Sequence, residues 1–228
     1  MKDALHALCP SLSPEQLDLF AAYYALLLDW NTRMNLTAVT EKQAVAEKHF
    51  FDSLAAAPLL PKNAVCVDAG TGAGFPGVPL LIARPDIRVT LMDSLEKRLR
   101  FLDEALHALG LADRAKTAHL RAEDAGHDAS HRGRYDVALT RAVAALPVIV
   151  ELTVPLVKVG GRSIAYKGAA AGQELAAAKG ALHLLHAHAE AVPVSAAYGE
   201  RALIVITKDA PTPKQYPRKA GTPAKNPL

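Results

Sequence analysis

An acidic residue followed by alternating glycines is the pattern with the clearest chemical meaning in this sequence. Residues 67–77 read VDAGTGAGFPG and lie between two short apolar runs. Glycines at this spacing let a backbone turn sharply and approach a ligand closely, because they lack a Cβ atom. The segment therefore predicts a loop between a strand and a helix that binds a nucleotide-like cofactor.

Two cofactors fit this loop. Gly72, Gly74 and Gly77 match the dinucleotide pattern GxGxxG. The acidic-x-Gly-x-Gly-x-Gly pattern of S-adenosylmethionine enzymes is matched from Asp68 through Gly70 to Gly74. A carboxylate at the strand end suits a cationic amino-acid moiety, directly or through water, and would repel a pyrophosphate. The electrostatics favour S-adenosylmethionine over NAD.

Acidic residues also follow the next two predicted strands. Asp93 ends the second strand, where the ribose hydroxyls of either cofactor need an acceptor, so it does not discriminate between them. Glu123 and Asp124 follow the third strand. A carboxylate or backbone group there could receive an adenine amino group, or the pair could form an ordinary solvated turn.

The elements that must position these residues are those of an α/β fold. From Ala64 onward, short apolar runs alternate with helical stretches, which is typical of βαβ units and of a mostly parallel sheet. The last two strands are joined by a turn near Gly199 that is too short for a crossover helix, so they must be antiparallel. We predict a seven-stranded, mostly parallel sheet with an antiparallel last strand. Its strands are 64–68, 88–93, 117–120, 136–140, 162–166, 191–194 and 203–207.

Three regions are predicted along the chain. Residues 1–60 form a helical N-terminal cap, in which Ser13 and Gln16 cap one helix and a second helix covers 41–57. Residues 61–209 form the cofactor-binding core. Residues 210–228 form a proline-rich basic tail, expected to be extended or disordered and either to contact phosphates or only to aid solubility.

Composition limits the classes of function. No apolar run reaches the ~20 residues of a membrane span, and the first residues lack the pattern of a secretory signal, so the expected location is the cytoplasm. Of the two cysteines, Cys66 lies in an apolar strand, where a free thiol is a small hydrophobe and not a nucleophile. We expect no metal site.

Several longer segments are distinctive: LLDWNTRMNL (27–36), HFFDSL (49–54), DAGTGAGFPGVP (68–79), TLMDSLEKRLRF (90–101), TRAVAAL (140–146), AYKG (165–168) and the tail from Gln215. Together they resemble the bacterial ribosomal RNA small-subunit methyltransferase G proteins, also called glucose-inhibited division protein B. Ala69 and Ala73 depart from that family's pattern. The resemblance implies a class I (Rossmann-like) methyltransferase fold and methyl transfer to N7 of one guanine in 16S ribosomal RNA.

The resemblance also assigns residues to sites. Arg141 is expected both at the donor site and as the catalytic residue, orienting guanine through O6 or a phosphate; the alternative is a structural ion pair. The other donor-binding positions implied by family and loop pattern are Asp68, Gly70, Gly72, Gly74, Phe75, Asp93, Ser94, Ala122 and Glu123. RNA contacts are expected from Asn35, His49, Lys167, Arg218, Lys219 and Lys225, although a lone histidine such as His49 is more often a packing residue.

Chemistry supports a ring nitrogen as the methyl acceptor. Guanine N7 has an exposed lone pair, and its methylated product has no N7 proton to remove, so positioning alone can carry the reaction. The Asn/Asp-Pro-Pro-aromatic motif of amino-group methyltransferases is missing, and Cys66 cannot supply the thiolate that carbon-5 pyrimidine enzymes use.

Three functions remain open. The first is an RNA N7-methyltransferase, expected to be a monomer that acts on 16S ribosomal RNA or a small-subunit particle and needs neither membrane nor metal. The second is a methyltransferase for a small molecule or a protein. The third is an NAD-dependent oxidoreductase, which the identity of the bound cofactor would separate from the first two.

Overall fold

One seven-stranded sheet organises the chain in a computed structural model that describes residues 1–196 and 198–228. The strand order is β3-β2-β1-β4-β5-β7-β6. The strands are β1 Val65–Ala69, β2 Arg88–Asp93, β3 Ala115–His119, β4 Tyr135–Arg141, β5 Val157–Lys167, β6 Ala187–Val194 and β7 Arg201–Lys208.

Strands β1 to β5 pair in parallel, and β7 is antiparallel to both β5 and β6. The predicted seven-stranded sheet with an antiparallel last strand is therefore confirmed. Strands β5 and β6 each begin several residues earlier than predicted. Ala197, in the turn predicted near Gly199, lies outside the described residues.

Helices cover both faces of the sheet. They are α1 Lys2–Leu8, α2 Pro14–Asn31, α3 Lys42–Val45, α4 Asp52–Leu54, α5 Gly77–Ala83, α6 Glu96–Ala108, α7 Ala122–Ala125, α8 Leu146–Thr153, α9 Ala171–Ala177, α10 Lys179–Leu184 and α11 Thr222–Lys225. Three-residue 3₁₀ turns occur at Ala57–Leu59 and Val154–Leu156. No helix in the described part of the chain is both long enough and apolar enough to span a membrane.

The N-terminal cap packs directly on the sheet domain. The predicted capping box is present, because Ser13 Oγ accepts from the Gln16 amide and Gln16 Oε1 accepts from the Ser13 amide. Gln16 Nε2 also donates to the carbonyls of Ile82 and Ala83 at the end of α5. Cap and sheet share one hydrophobic core, and the boundary at residue 60 stays a prediction.

The predicted single helix over 41–57 is wrong in detail. A six-residue π-helix, Ala46–Phe51, separates α3 from α4. Wider π turns are local departures that apolar periodicity does not reveal, and they often occur at functional sites. This one carries His49 and is followed directly by Asp52.

The expectation of an extended or disordered tail is also wrong. Tyr216, Pro217 and Pro223 are buried, and the tail contains α11. The Arg132 guanidinium donates to the carbonyls of Thr212, Pro213 and Tyr216. Proline has no N–H that needs a partner, so one arginine can satisfy much of the backbone of a proline-rich segment.

Candidate active site

Two cavities lie at the carboxyl ends of the central strands. β1 and β4 are neighbours in the sheet, although β2 and β3 come between them in the chain. Such a topological switch point is where open α/β sheets bind ligands. We call the cavity on the β1–β2 side the donor cavity and the one on the β4–β5 side the acceptor cavity. Ala142, directly after β4, lines both.

The donor cavity has a volume of about 300 Å³. This volume lies at the lower end of the range typical of small-molecule sites. Five residues assigned to cofactor binding from the sequence come together in its wall: Gly70, Asp93, Ser94, Ala122 and Glu123. Apolar side chains, Leu120, Ile149 and Leu152, supply further wall area suited to a purine ring. Contact of these residues with a cofactor stays a prediction.

Asp93 is held rigidly at the end of β2. Its carboxylate is almost fully buried and accepts from the Gly72 amide at 3.0 Å, the Leu95 amide at 2.9 Å and Arg98 Nη1 at 3.2 Å. Of about four acceptor positions on a carboxylate, these contacts leave about one for a ligand hydroxyl. The carboxylate is thus oriented before any ligand binds.

Asp68 does not line the donor cavity. Its side chain is fully buried, with Oδ2 accepting from the Thr71 hydroxyl at 2.7 Å and from the Gly77 amide at 2.8 Å. Oδ1 has no hydrogen-bond partner among the described residues, and burial raises the pKa of this carboxyl to about 6. The carboxylate holds the loop through these two hydrogen bonds, and its contact with a cofactor, directly or through water, stays a prediction.

The loop glycines have different roles. Gly70 has φ +74°, and a Cβ atom there would lie 2.7 Å from Val143 Cγ2. The absence of a Cβ atom therefore allows the 142–145 loop to pack closely against this glycine. At Gly74, with φ +90°, a Cβ atom would lie 2.5 Å from the Tyr23 hydroxyl oxygen. Tyr23 donates to the Ala73 carbonyl and so fastens the loop to α2.

Three predicted donor-binding residues therefore shape the loop without lining the donor cavity. Gly72 fixes Asp93 through its amide, and Gly74 allows close packing against the cap. The Phe75 ring is buried beneath His49 and Arg141. Sequence alone could not separate these roles, since each depends on what packs against the loop.

The acceptor cavity is larger, about 450 Å³, and it is basic. Four cationic side chains line it against a single carboxylate, that of Asp52. The cations come from the π-helix, β4, β5 and β7 in turn: Lys48, Arg141, Lys167 and Arg201. This arrangement suits a ligand that carries negative charge.

Arg141 is the best-connected residue of the acceptor cavity. Its Nη1 donates to the Lys48 carbonyl at 2.9 Å and to Asp52 Oδ2 at 3.0 Å, and its guanidinium lies 5.1 Å from the Phe75 ring centroid. The structural ion pair considered from the sequence is thus present. Its neighbour Ala142 lines the donor cavity and Arg141 does not, so contact of Arg141 with the donor stays a prediction.

His49 is neutral near pH 7. Burial, reinforced by the Arg141 charge, lowers the pKa of its imidazole to about 4. His49 Nδ1 lies 3.2 Å from Arg141 Nη2, from which it can only accept, and 3.2 Å from the Lys48 carbonyl oxygen, to which it can only donate. Nε2 lies 2.8 Å from Thr37 Oγ1, and the tautomer of the ring decides which of these two groups donates. The ring also stacks on Phe75 at 4.5 Å, so His49 both packs and lines the cavity.

The other predicted RNA contacts are scattered. Lys167 lines the acceptor cavity, where its ammonium pairs with Glu174 at 2.6 Å and donates to the Ala144 carbonyl. Asn35 is exposed on the segment that follows α2, and Lys219 and Lys225 are exposed on the tail. Arg218 is partly buried on the tail, where its guanidinium pairs with the fully buried Glu151, and its contact with RNA stays a prediction.

Sequence reasoning missed the residues that support Arg141. Asp52 Oδ1 accepts from the Tyr198 hydroxyl at 2.7 Å, and Arg201 Nε lies 3.4 Å from the same oxygen. The only available signal was the position of Asp52 in the HFFDSL segment. The tail was also missed as part of the site, since the Gly221 amide donates to Glu123 Oε1 at 3.0 Å.

Metal ligation was not expected from the sequence. Within residues 1–196 and 198–228, no group of three or more His, Cys, Asp or Glu side chains is arranged to hold an ion.

Comparison with known proteins gives a consistent result. A family profile described as rRNA small subunit methyltransferase G matches residues 16–204. The protein of that name from Halalkalibacterium halodurans is 50% identical over 223 residues, covering 96% of this chain and 93% of the relative. The Acetivibrio thermocellus protein of the same name is 46% identical, covering 96% and 91%.

Solved structures with a similar fold are more distant in sequence. An O-methyltransferase from Bacillus cereus in complex with SAH is 16% identical with a TM-score of 0.58, and the match covers 82% of this chain and 91% of that one. An O-methyltransferase of Streptomyces achromogenes, involved in tomaymycin synthesis and complexed with SAM, is 14% identical with a TM-score of 0.56, covering 84% and 90%. These matches confirm the predicted class I methyltransferase fold.

Proposed function

The chain belongs to the rRNA small subunit methyltransferase G family, and on that premise we propose that it transfers a methyl group from S-adenosylmethionine to N7 of one guanine in 16S ribosomal RNA. The observation that carries the proposal is the junction of the two cavities at Ala142. Ala142 has φ +57°, an uncommon conformation for a residue with a Cβ atom. That turn ends β4 where donor and acceptor must meet.

The residues present fit the donor. Gly70, Asp93 and Ser94 offer a glycine turn and an oriented carboxylate for the ribose, while Ala122 and Glu123 flank the space for adenine. The buried Asp68 carboxylate, one oxygen unpartnered, lies behind the loop and adds negative potential towards a cation. S-adenosylmethionine, when bound, supplies an electrophilic methyl group on a positively charged sulfur.

The acceptor cavity suits a nucleotide. Lys48 and Arg201 line it and can neutralise phosphate, and Arg141 presents a guanidinium fixed by three neighbours. The neutral His49 stacks on Phe75 beside it and adds no charge. These residues bind and orient the base, and no side chain has to remove a proton from N7. Orientation of this kind can account for about 7–11 kcal/mol of a reaction barrier.

The decisive experiment is mapping of modified nucleosides by mass spectrometry. Small-subunit RNA from cells that lack this protein should miss one 7-methylguanosine, and the purified protein should restore it with S-adenosylmethionine. Methylation of another atom by the purified protein, or no methyl transfer to RNA at all, contradicts the proposal. A small-molecule or protein substrate would also remove the steep salt dependence expected for RNA.

Cofactor identity is tested separately. Calorimetric titration should detect S-adenosylhomocysteine and not NAD, and binding of NAD alone would favour an oxidoreductase. We further propose that the protein acts in the cytoplasm as a monomer; sedimentation velocity would check its mass, and comparison of naked 16S RNA with small-subunit particles would identify the substrate form.

A further inference from the structure

A third cavity lies at the opposite ends of the same strands, and we call it the far-side cavity. It has a volume of about 470 Å³ and is lined by residues at the starts of β1 to β4, including Val65, Arg88, Ala115 and Tyr135. Strand β2 runs from Arg88 at this cavity to Asp93 at the donor cavity. Five steps along a strand place the two sites about 17 Å apart.

The far-side cavity is strongly basic. Among the residues that the structure describes, four cations line it against one carboxylate, that of Asp113: they are Arg88, Arg114, Lys116 and Arg134. This local excess of three positive charges equals the net charge of the whole chain, +3. Arg88, Lys116 and Arg134 are exposed to solvent.

These four cations lack acidic partners. None of them forms an ion pair in the described part of the chain, whereas the cations of the donor and acceptor cavities mostly do. In the described part of the chain, the Arg114 guanidinium donates to three backbone carbonyls, those of Leu81, Arg84 and Ile87. Burial and the neighbouring Arg88 charge lower the pKa of Arg114. An anion in the cavity would relieve this repulsion.

The edge of the sheet connects the far-side cavity to the donor cavity. β3 lies at one edge of the described sheet, with β2 as its neighbour. Lys116 lies on β3 at the far-side cavity, and Arg121, just beyond its end, lines the donor cavity. A polyanion could follow this edge from one cavity to the other.

We propose that the far-side cavity binds the phosphate backbone of the RNA substrate, remote from the methylated base. This inference rests on the proposed function, because it takes the same RNA as the polyanion. Phosphate contacts position a nucleic acid without reading its sequence. The far-side cavity therefore adds affinity and orientation, while the acceptor cavity selects the base.

The test compares two charge-matched double variants. Lys116→Gln/Arg134→Gln removes two cations from the far-side cavity, and Lys62→Gln/Lys179→Gln removes two exposed cations elsewhere. Steady-state methylation of small subunits from cells lacking the enzyme gives KM and kcat, and fluorescence anisotropy gives binding to naked 16S RNA transcript across a KCl series.

We expect the far-side double variant, Lys116→Gln/Arg134→Gln, to have a KM for the subunit several-fold higher than wild type. Its kcat and its KM for S-adenosylmethionine should be unchanged. The slope of log Kobs against log [KCl] for naked RNA should fall by about two, one for each lost phosphate contact. The control pair should change the slope less. The inference is overturned if the two double variants have the same KM and the same salt slope. It is also overturned if KM rises for particles while binding to naked RNA is unchanged, because that result would indicate a protein partner. Failure of the wild-type protein to methylate RNA would instead refute the proposed function.

Discussion

The guanidinium of Arg141 and the carboxylate of Asp52 form an ion pair, Nη1 to Oδ2 3.0 Å, with side chains only 14% and 9% exposed. The pair joins the end of β4 to the segment that follows the π-helix. Burying two charges offsets much of their attraction, so such pairs are weak sources of stability and are more informative about orientation. Here the oriented group is the guanidinium in the acceptor cavity.

Replacement of Arg141 by Gln should reduce kcat for methyl transfer by roughly 10²-fold or more, because misplacement of the target base by about 1 Å has an effect of that size. Binding of S-adenosylhomocysteine, measured by calorimetry, should change little, since Arg141 lies outside the donor-cavity wall. The matched control is Arg33→Gln, which breaks an exposed pair with Asp29. Full activity of the Arg141 variant would remove this residue from the reaction.

Asp52 is predicted to act as a positioning residue. Asp52→Asn keeps the shape but removes the charge that orients Arg141, so kcat should fall while KM for S-adenosylmethionine stays constant. Tyr198→Phe, which deletes the 2.7 Å bond to Asp52 Oδ1, should have the same effect more weakly. Tyr24→Phe, which deletes a bond to the Thr40 carbonyl, is the control. A purely structural role would instead lower the melting temperature and leave kcat of the folded enzyme unchanged.

The raised pKa of the buried Asp68 carboxyl predicts that replacing this residue changes stability by an amount that depends on pH. Its folded-state pKa, about 6, lies above the ordinary 3.8. Between these values the folded state binds more protons than the unfolded state, so this carboxyl's contribution to stability is greatest at low pH and is lost as pH rises towards 6. Asp68→Asn should therefore gain stability relative to wild type from pH 4 to 7, measured by urea unfolding.

The same Asp68 variant should bind S-adenosylmethionine more weakly, because it loses negative potential behind the cation. Binding of S-adenosylhomocysteine, which lacks the sulfonium charge, should fall less. A stability difference that is independent of pH would show that Asp68 titrates normally in the folded protein.

Two loop glycines provide a matched steric test. In Gly72→Ala the new Cβ atom would lie in open space, so only the backbone is strained. Because φ is +59° there, the substitution should reduce the free energy of unfolding by about 1–2 kcal/mol. Gly74→Ala adds a Cβ atom within 2.8 Å of Tyr23, Val78 and Leu102, so overpacking should remove about 1–3 kcal/mol more. Chemical denaturation of both variants measures the difference. Equal losses would mean that α2 can move away from the loop.

The sequence predicted the sheet and five of the residues that line the donor cavity because those features depend on short-range patterns. Alternating apolar runs predict parallel strands, and the acidic residue at the end of β2 necessarily lies beside the loop that follows β1. The direction of the Asp68 side chain was not predictable, since it depends on an amide nine residues away. The tail was misjudged for a similar reason: its partners, Glu151 and Arg132, are distant in the chain and carry no local signal.

The ion pair between Arg218 and Glu151 gives the last prediction. Glu151 is fully buried on α8, and Arg218 donates to both of its oxygens while the Arg218 amide donates to one. Arg218→Met should reduce the free energy of unfolding by about 3 kcal/mol, because it leaves a buried charge with one remaining donor from the tail. Lys219→Met, an exposed neighbour, should change stability little.

Ligand binding in the donor cavity should weaken when the tail loses this ion pair. α8 contributes Ile149 and Leu152 to its wall, and the tail amide of Gly221 holds Glu123. Calorimetry should therefore show weaker S-adenosylhomocysteine binding to Arg218→Met than to Lys219→Met. The double variant Glu151→Gln/Arg218→Met removes the buried charge as well and should recover part of the stability. If the double variant is no more stable than Arg218→Met, the loss came from the packing of the arginine side chain and not from an unpaired carboxylate.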